Sequence, residues 1–483
     1  MRKRAAVLLL IALPIASVAP PALASPGPGT LRLCVGAPPC LGTLQEALDG
    51  AAPGAEIRLP AGTYPGGMTI VQDVTIVGAG AGRTVLEGGG PVLTIGVDGA
   101  TDPPVVSLRG VTITGGRTTY TFVPELAFGG GVFIPAGMDG SVGATVTFTD
   151  SVISGNSARP GGTADCGFPC SFALGGGIFN SGRLTLLRTA VVSNTAGSGS
   201  HTFGGGIFND WMAELTVDHS TIRDNRSSAT GDIGRVAESG GIHDSGAMTM
   251  RSSSVVSNVS EQESRLTLEE DHVANAGGIS VNGSAVITDS VIRDNLVSST
   301  NQNPDGFTNA FGGGIVAKGE LTILRSVITR NKVRVNSAGQ GQSEAGGLSV
   351  DTVTVHVGDS VISDNTAFLT AGGAGQASGG GVLSLGNLTL DRSVIRGNSV
   401  RADVGGGDMP WGEPSIARGG GVVNLVDTDP PVLVLRQSSV TGNVVTASTG
   451  VTRSGGGIYS LAPMTLTQSV VARNLPDQCF GCG

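Results

Sequence analysis

Gly175–Asn194 reads GGGIFNSGRLTLLRTAVVSN, and ten variants of it follow one another along the chain. Each copy has a glycine run, an aliphatic anchor, a Leu-Thr-Leu strand, a Ser or Thr, an Ile or Val, and a closing Asn. The anchors are Val132, Ile178, Ile207, Ile242, Ile279, Ile315, Leu348, Val382, Val422 and Ile458. The closing residues are Asn156, Asn194, Asn225, Asn258, Asn295, Asn331, Asn365, Asn398, Asn443 and Asn474. Self-similarity on this length scale marks a solenoid.

From anchor to closing Asn the separation is 16 in six of the ten copies, whereas from Asn to the next anchor it ranges from 13 to 24. The constant part reads as the wall of a coil. The variable part reads as a surface loop, because insertions are tolerated there. The wall is β: in Leu184-Thr185-Leu186 the leucines share parity and the threonine faces away. Eight residues before each Asn stands an apolar residue, from Phe148 to Leu466, and three before stands Ile or Val. These columns are predicted to stack in the interior. The invariable Ser or Thr five before the Asn suits a corner, and the Asn column suits an amide ladder at a bend. Short strands in successive coils must run parallel, so the predicted fold is all-β, a right-handed parallel β-helix over 56–475.

Arg2, Lys3 and Arg4 precede an apolar run, Ala5–Ile15, and Ala22-Leu23-Ala24 offers a small-x-small cleavage site. This predicts a signal peptide over 1–24, a secreted or cell-surface protein, and no transmembrane segment after its removal. A membrane anchor needs about 20 apolar residues, and Pro14, Pro20 and Pro21 interrupt this one. Removal takes three cations and no acid, so the formal charge falls from −9 to −12. That balance disfavours nucleic acid as a partner. Residues 25–55 read as an N-terminal cap with a short helix, in which Thr43 and Glu46 form a capping box and Leu44, Ala47, Leu48 and Ala51 share a face. An amphipathic plug is expected at an open solenoid end. Six cysteines fall in three close pairs, Cys34 with Cys40, Cys166 with Cys170, and Cys479 with Cys482 in the tail 476–483. In an exported chain local disulfides are expected. Zinc is disfavoured because the pairs are far apart and lack nearby histidine, and no metal or cofactor is expected.

The repeat resembles those of right-handed β-helix proteins of the pectin lyase-like superfamily. TLQEALDGAAPGAEIRLPAGTY, residues 43–64, is similar to an opening segment of that group. The Gly-Gly-Gly-Ile and Ile-x-x-Asn elements are similar to polymorphic outer-membrane protein repeats, with Ile or Val where that family has Phe. The resemblance implies the fold over nearly the whole mature chain. It implies no single activity, because the superfamily spans lyases, hydrolases, esterases, adhesins and inert repeats.

Enzymes on such a scaffold place acids on adjacent coils of one wall, and hydrolases need paired carboxylates. The chain has no Gly-His-Gly, no Asp-Asp pair on a strand and no nonapeptide calcium repeat. The best acid–base constellation is Asp218, His219 and Asp224 with His243 and Asp244 on the next coil; the plainer reading is exposed strand positions. Glu269-Glu270-Asp271-His272 reads as a solvated charge run. Asp289, Arg325, Asp359 and Arg392 occupy one column on four successive coils and predict a ladder of alternating charge. The residues after the anchors, Phe133, Phe179, Phe208 and His243, either form an outward aromatic strip beside Trp211, suited to a sugar ring, or lie buried beneath folded-over loops. The main functional reading is an exported, non-catalytic β-helix binding extracellular polysaccharide or another surface. The second is a polysaccharide lyase or glycoside hydrolase, recognisable by acids from two or more coils converging in one groove.

Overall fold

The computed structural model describes residues 30–32, 42–119, 126–161, 171–198, 200–231, 236–264, 272–410, 412–426 and 432–482. The signal segment, Cys34, Cys40, Cys166, Cys170 and Glu269–Asp271 lie outside them. The chain is a parallel β-solenoid with five sheets. Following one coil, sheet I contains the anchor strand (Ile178–Asn180), sheet II the Leu-Thr-Leu strand (Arg183–Leu187) and sheet III the strand before the Asn (Ala190–Val192). Sheets I, II and III have 13, 14 and 13 strands. All ten anchors pair in register down sheet I, from Val132 against Ile178 to Val422 against Ile458.

The segments between Asn and the next glycine run are not loops. They form two further parallel sheets of ten strands each, sheet IV (Thr195–Ser198 in this coil) and sheet V (His201–Phe203). Together they make a fin projecting from the three-sided barrel. The reason is visible in Lys332–Ser337, KVRVNS, whose exposure alternates strictly. Its Val333 and Val335 pack with Ala310, Ala377 and Leu369 into a second core between sheets IV and V. Period-2 patterning of this kind is strand patterning. Length variation in these segments hid it.

The main core fills the space inside sheets I, II and III, with Phe148, Leu186, Ile287, Ile323 and Leu390 fully buried. The helix Leu44–Asp49 begins at a complete Thr43/Glu46 capping box, and its Leu44, Ala47 and Leu48 belong to the same core. The Asn column is a buried ladder. Asn295 Nδ2 donates to Asn331 Oδ1 at 2.9 Å and to the Val255 carbonyl at 3.0 Å, and the pattern recurs from coil to coil. Gln478 in the tail ends it, accepting from Asn474 Nδ2 at 3.2 Å. The left-handed residue at this bend is the one before each Asn, for example Asp224, Asp294 and Arg330 at φ 54–56; the Asn itself uses its side chain for the ladder instead. At the next corner the backbone N–H of Thr189 donates to Ser220 Oγ at 3.0 Å, and that of Ser220 to Ser253 Oγ at 3.0 Å, as a hydroxyl column requires.

The glycine run marks where the fin returns to the barrel. Gly175 has φ +67, a Cβ on Gly176 would strike the Thr195 backbone, and one on Gly177 would lie 2.9 Å from the Asn194 amide. At Gly176 and Gly177 only glycine lets the incoming and outgoing chains pass this closely, whereas the left-handed position before them also takes Ser239, Ala276 and Ala345 in other coils. On the outer corner Arg325 holds Asp289 through two bonds of 2.8 and 2.9 Å, and Arg392 holds Asp359 through two of 2.7 and 2.9 Å. The alternating ladder therefore forms as bidentate pairs, which fix register while contributing little stability at exposed sites. Among the described residues no helix is long and apolar enough to cross a membrane.

Candidate functional site

The residue after each anchor points away from the barrel, as parity demands, but the fin leans over it. Phe133 and Phe179 are each 7% exposed, His243 is 4% exposed and Phe208 is half-buried. Their rings form one stack: Phe179 lies 5.3 Å from Phe208, and Phe208 4.9 Å from His243. From the fin, Phe128 stacks on Phe179 at 4.7 Å and Phe203 meets His243 edge-on at 5.2 Å. Of the two readings of this strip, burial is the one realised, so these rings are packing in the seam between sheets I and V. Trp211 differs. It sits on the corner between sheets I and II, is 70% exposed, and owes its projection to a local insertion: Ile207 and Asn225 are 18 apart, against 16 in the preceding coil.

The seam also contains a polar cluster that sequence reading missed. Glu238, from the fin, accepts from Ser280 Oγ at 2.6 Å and from Lys318 Nζ at 2.9 Å, and its Oε1 is 3.9 Å from His243 Nδ1. His243 Nε2 is 3.1 Å from Ser245 Oγ and 3.2 Å from Asn282 Nδ2. Burial opposes ionisation of Glu238, yet His243, Lys318 and the Ser280 hydroxyl outweigh it and hold the carboxyl below its usual range. Burial pushes the His243 imidazole down, towards the neutral form. These groups come from three coils, and Glu238 and Lys318 are 80 residues apart. The one available hint was that Lys318 is among only three lysines in the chain.

The constellation of Asp218, His219, Asp224, His243 and Asp244 does not assemble. Asp218 is gripped by Arg251 at 2.8 Å and by His219 at 2.7 Å on the outer corner, and these contacts depress its pKa against a smaller opposing effect of desolvation. Asp224 pairs with the adjacent Arg223. Asp244 faces the barrel interior, fully buried, where it ends a short ladder by accepting from Asn209 Nδ2 at 2.7 Å. Burial raises its pKa to about 6. Parity separates neighbours: His243 and Asp244 are adjacent in sequence and lie on opposite faces of sheet I. Among the described residues no three His, Cys, Asp or Glu side chains gather as a metal would require. Cys479 and Cys482 lie with Cα atoms 5.9 Å apart, within the span of a disulfide.

An open site lies on the outer face of the fin. Lys332, Arg334, Thr366, Phe368, Ser399, Arg401, Val444 and Thr446, all from sheet IV, line a concavity of about 440 Å³. The Phe368 ring sits between two guanidiniums, with Arg334 6.0 Å and Arg401 5.4 Å from its centroid. The stacking follows from register, since Arg334, Phe368 and Arg401 are paired rungs on three successive strands. Arg401 is also held by Asp403 at 2.6 Å. Among the described residues Lys332 and Arg334 have no carboxylate partner. This sets them apart from Arg188, Arg251, Arg325, Arg330 and Arg392, each neutralised by an aspartate of a neighbouring coil.

No protein-family model matches the chain, and no curated protein matches it. Among solved structures, the A-module of the Azotobacter vinelandii mannuronan C-5 epimerase AlgE6 is similar at 14% identity and TM-score 0.30, covering 89% of this chain and 94% of that one. The AlgE4 A-module from the same organism gives 12% identity and TM-score 0.26, over 91% and 95%. An alginate lyase, AlyF-OU02, in complex with G6 gives 12% and 0.25, over 89% and 85%. At such TM-scores the likenesses carry no argument, and the fold rests on the strand pairing above.

Proposed function

We propose that the chain is an exported, non-catalytic right-handed β-solenoid that binds extracellular acidic polysaccharide on the outer face of its fin. The observation that carries this is the open concavity in which Phe368 lies between Arg334 and Arg401 beside the unpaired Lys332. The part of the Phe368 ring that the two guanidiniums leave open offers apolar area to a sugar, and unpaired cations offer charge-assisted bonds to its carboxylates. In this reading residues 1–24 are removed after Ala24, 25–55 cap the solenoid, 56–475 form it, and each close cysteine pair in the mature chain, including the tail pair, is oxidised to itself. A lyase or hydrolase is the second reading, favoured by the convergence of Glu238, His243 and Lys318 from different coils. Glu238 and His243 are each only 4% exposed, which leaves a polymer no access to them.

The test is calorimetric titration of the mature protein with polyuronates, alongside a depolymerisation assay on the same polymers. Binding that weakens with salt, is lost in Arg334→Ala and Phe368→Ala, and is accompanied by no cleavage supports the reading. Chain cleavage abolished by Glu238→Gln would replace it with the enzymatic one.

A further inference from the structure

We infer that the outer wall of sheet II carries a second saccharide site, for a neutral, hydroxyl-rich chain. It lies on a different face from the fin site and does not depend on it. Four consecutive strands, Glu214–Asp218, Ala247–Arg251, Ser284–Thr288 and Glu320–Leu324, line a concavity of about 440 Å³. Its shape follows from one row of paired residues. Glu214, Ala247, Ser284 and Glu320 are register partners, so two small side chains lie between two glutamate posts. At about 4.8 Å per rung the row spans about 14 Å, longer than a single sugar ring.

The lining suits hydroxyls. In the neighbouring row Thr216, Thr249 and Thr322 present hydroxyl groups that both donate and accept, and Val286, 43% exposed, presents apolar surface for a ring face. The posts accept hydrogen bonds only. The charge pattern excludes an acidic chain. Glu214 is occupied by Arg183 at 3.1 Å, Glu320 has no cationic partner among the described residues, and Lys318, two residues before it, is committed to Glu238. Arg251, at the end of its strand, is committed to Asp218. Among the described residues no cation lines the concavity to receive a carboxylate.

A third feature points to a ligand. The corner insertion that precedes Glu214 leaves Trp211 and Met212 70% and 47% exposed, within three residues of that post. Single exposed apolar residues are ordinary. An exposed tryptophan three residues from a hydroxyl-lined trough can stack one sugar ring while the hydroxyls bond its neighbours.

The experiment is titration of the mature protein with neutral oligosaccharides (cello-, xylo- and malto-hexaose), a chitosan oligomer and a polyuronate. The variants are Trp211→Ala, Glu320→Gln, Ser284→Phe and, on the other face, Arg334→Ala, with circular dichroism confirming each fold. We expect at least one neutral series to bind, Trp211→Ala and Ser284→Phe each to weaken it about tenfold or more, and Arg334→Ala to leave it unchanged. No binding of any neutral oligosaccharide at millimolar concentration overturns the inference. So does neutral binding indifferent to Ser284→Phe, or binding of the chitosan oligomer alone. Loss of polyuronate binding in Arg334→Ala with neutral binding intact separates the two faces; neutral binding with no polyuronate binding at all condemns only the fin site.

Discussion

Asn295→Ala removes one rung from the middle of the buried ladder, and its cost can be worked from four hydrogen bonds. The Asn295 amide donates to Asn331 Oδ1 at 2.9 Å and to the Val255 carbonyl at 3.0 Å, and its oxygen accepts from the Asn258 backbone N–H and side-chain amide, both at 3.0 Å. At roughly 1 kcal/mol net for each, the loss is about 4 kcal/mol. It rises if Val255 O and the Asn258 groups stay dry, because the residue is only 1% exposed. The backbone N–H of residue 295 still donates to Asn331 Oδ1, so the ladder is interrupted on one side only. Urea unfolding at constant m-value measures the change. Hydrogen exchange locates it, since nearest-neighbour coupling in a solenoid should concentrate the loosening on the flanking coils. Asn295→Asp supplies a signature that Ala lacks. The carboxylate keeps the acceptor role towards Asn258 but brings a second oxygen against Val255 O and Asn331 Oδ1. Acidification, which turns that oxygen into a donor, should partly restore Asp and leave Ala unmoved. A loss below about 1 kcal/mol in Asn295→Ala would refute the ladder as a stabilising element.

Two further outcomes follow from buried groups. Burial raises the Glu344 carboxyl from 4.5 to about 7, with only Arg418 at a distance and the Gln342 amide opposing; a raised pKa means its contribution is fully present below pH 4.5 and is lost as pH rises through about 7. The change amounts to about 3 kcal/mol, so Glu344→Gln should flatten the fall in stability between about pH 4.5 and 7, and an unaltered pH profile would contradict it. Phe179→Ala, in a seam position 7% exposed and stacked on both sides, should cost about 3–5 kcal/mol by thermal or chemical melting while leaving affinity for polyuronate unchanged; a stable variant that has lost binding would restore the outward-strip reading.

The parallel solenoid, the interior columns from Phe148 to Leu466, the capping box and the Asp–Arg ladder were all legible, because each rests on local periodicity. A strand pattern repeated in phase leaves one way to bury its apolar face, and Asn, Ser and Asp–Arg columns follow once coils stack in register. The fin was less legible. KVRVNS at Lys332–Ser337 alternates like any strand, but the matching segments differ in length and hold small residues such as Ala229 and Ala310, so their shared pattern emerges only when the coils are aligned in space.

What the sequence alone determined is therefore the repeat and everything that recurs with it: parallel stacking, the three barrel walls and the bend chemistry. What only the tertiary structure decided is which outward residues remain outward. Phe179 and His243 share the parity of exposed positions, yet the fin folds over them, while Trp211 stays in solvent. Glu238 meets Lys318 across 80 residues, and Arg334 meets Phe368 and Arg401 across three coils. The physical reason is that parity fixes the face of a sheet from the local backbone, whereas burial of that face depends on a second layer whose placement is set by packing between distant segments.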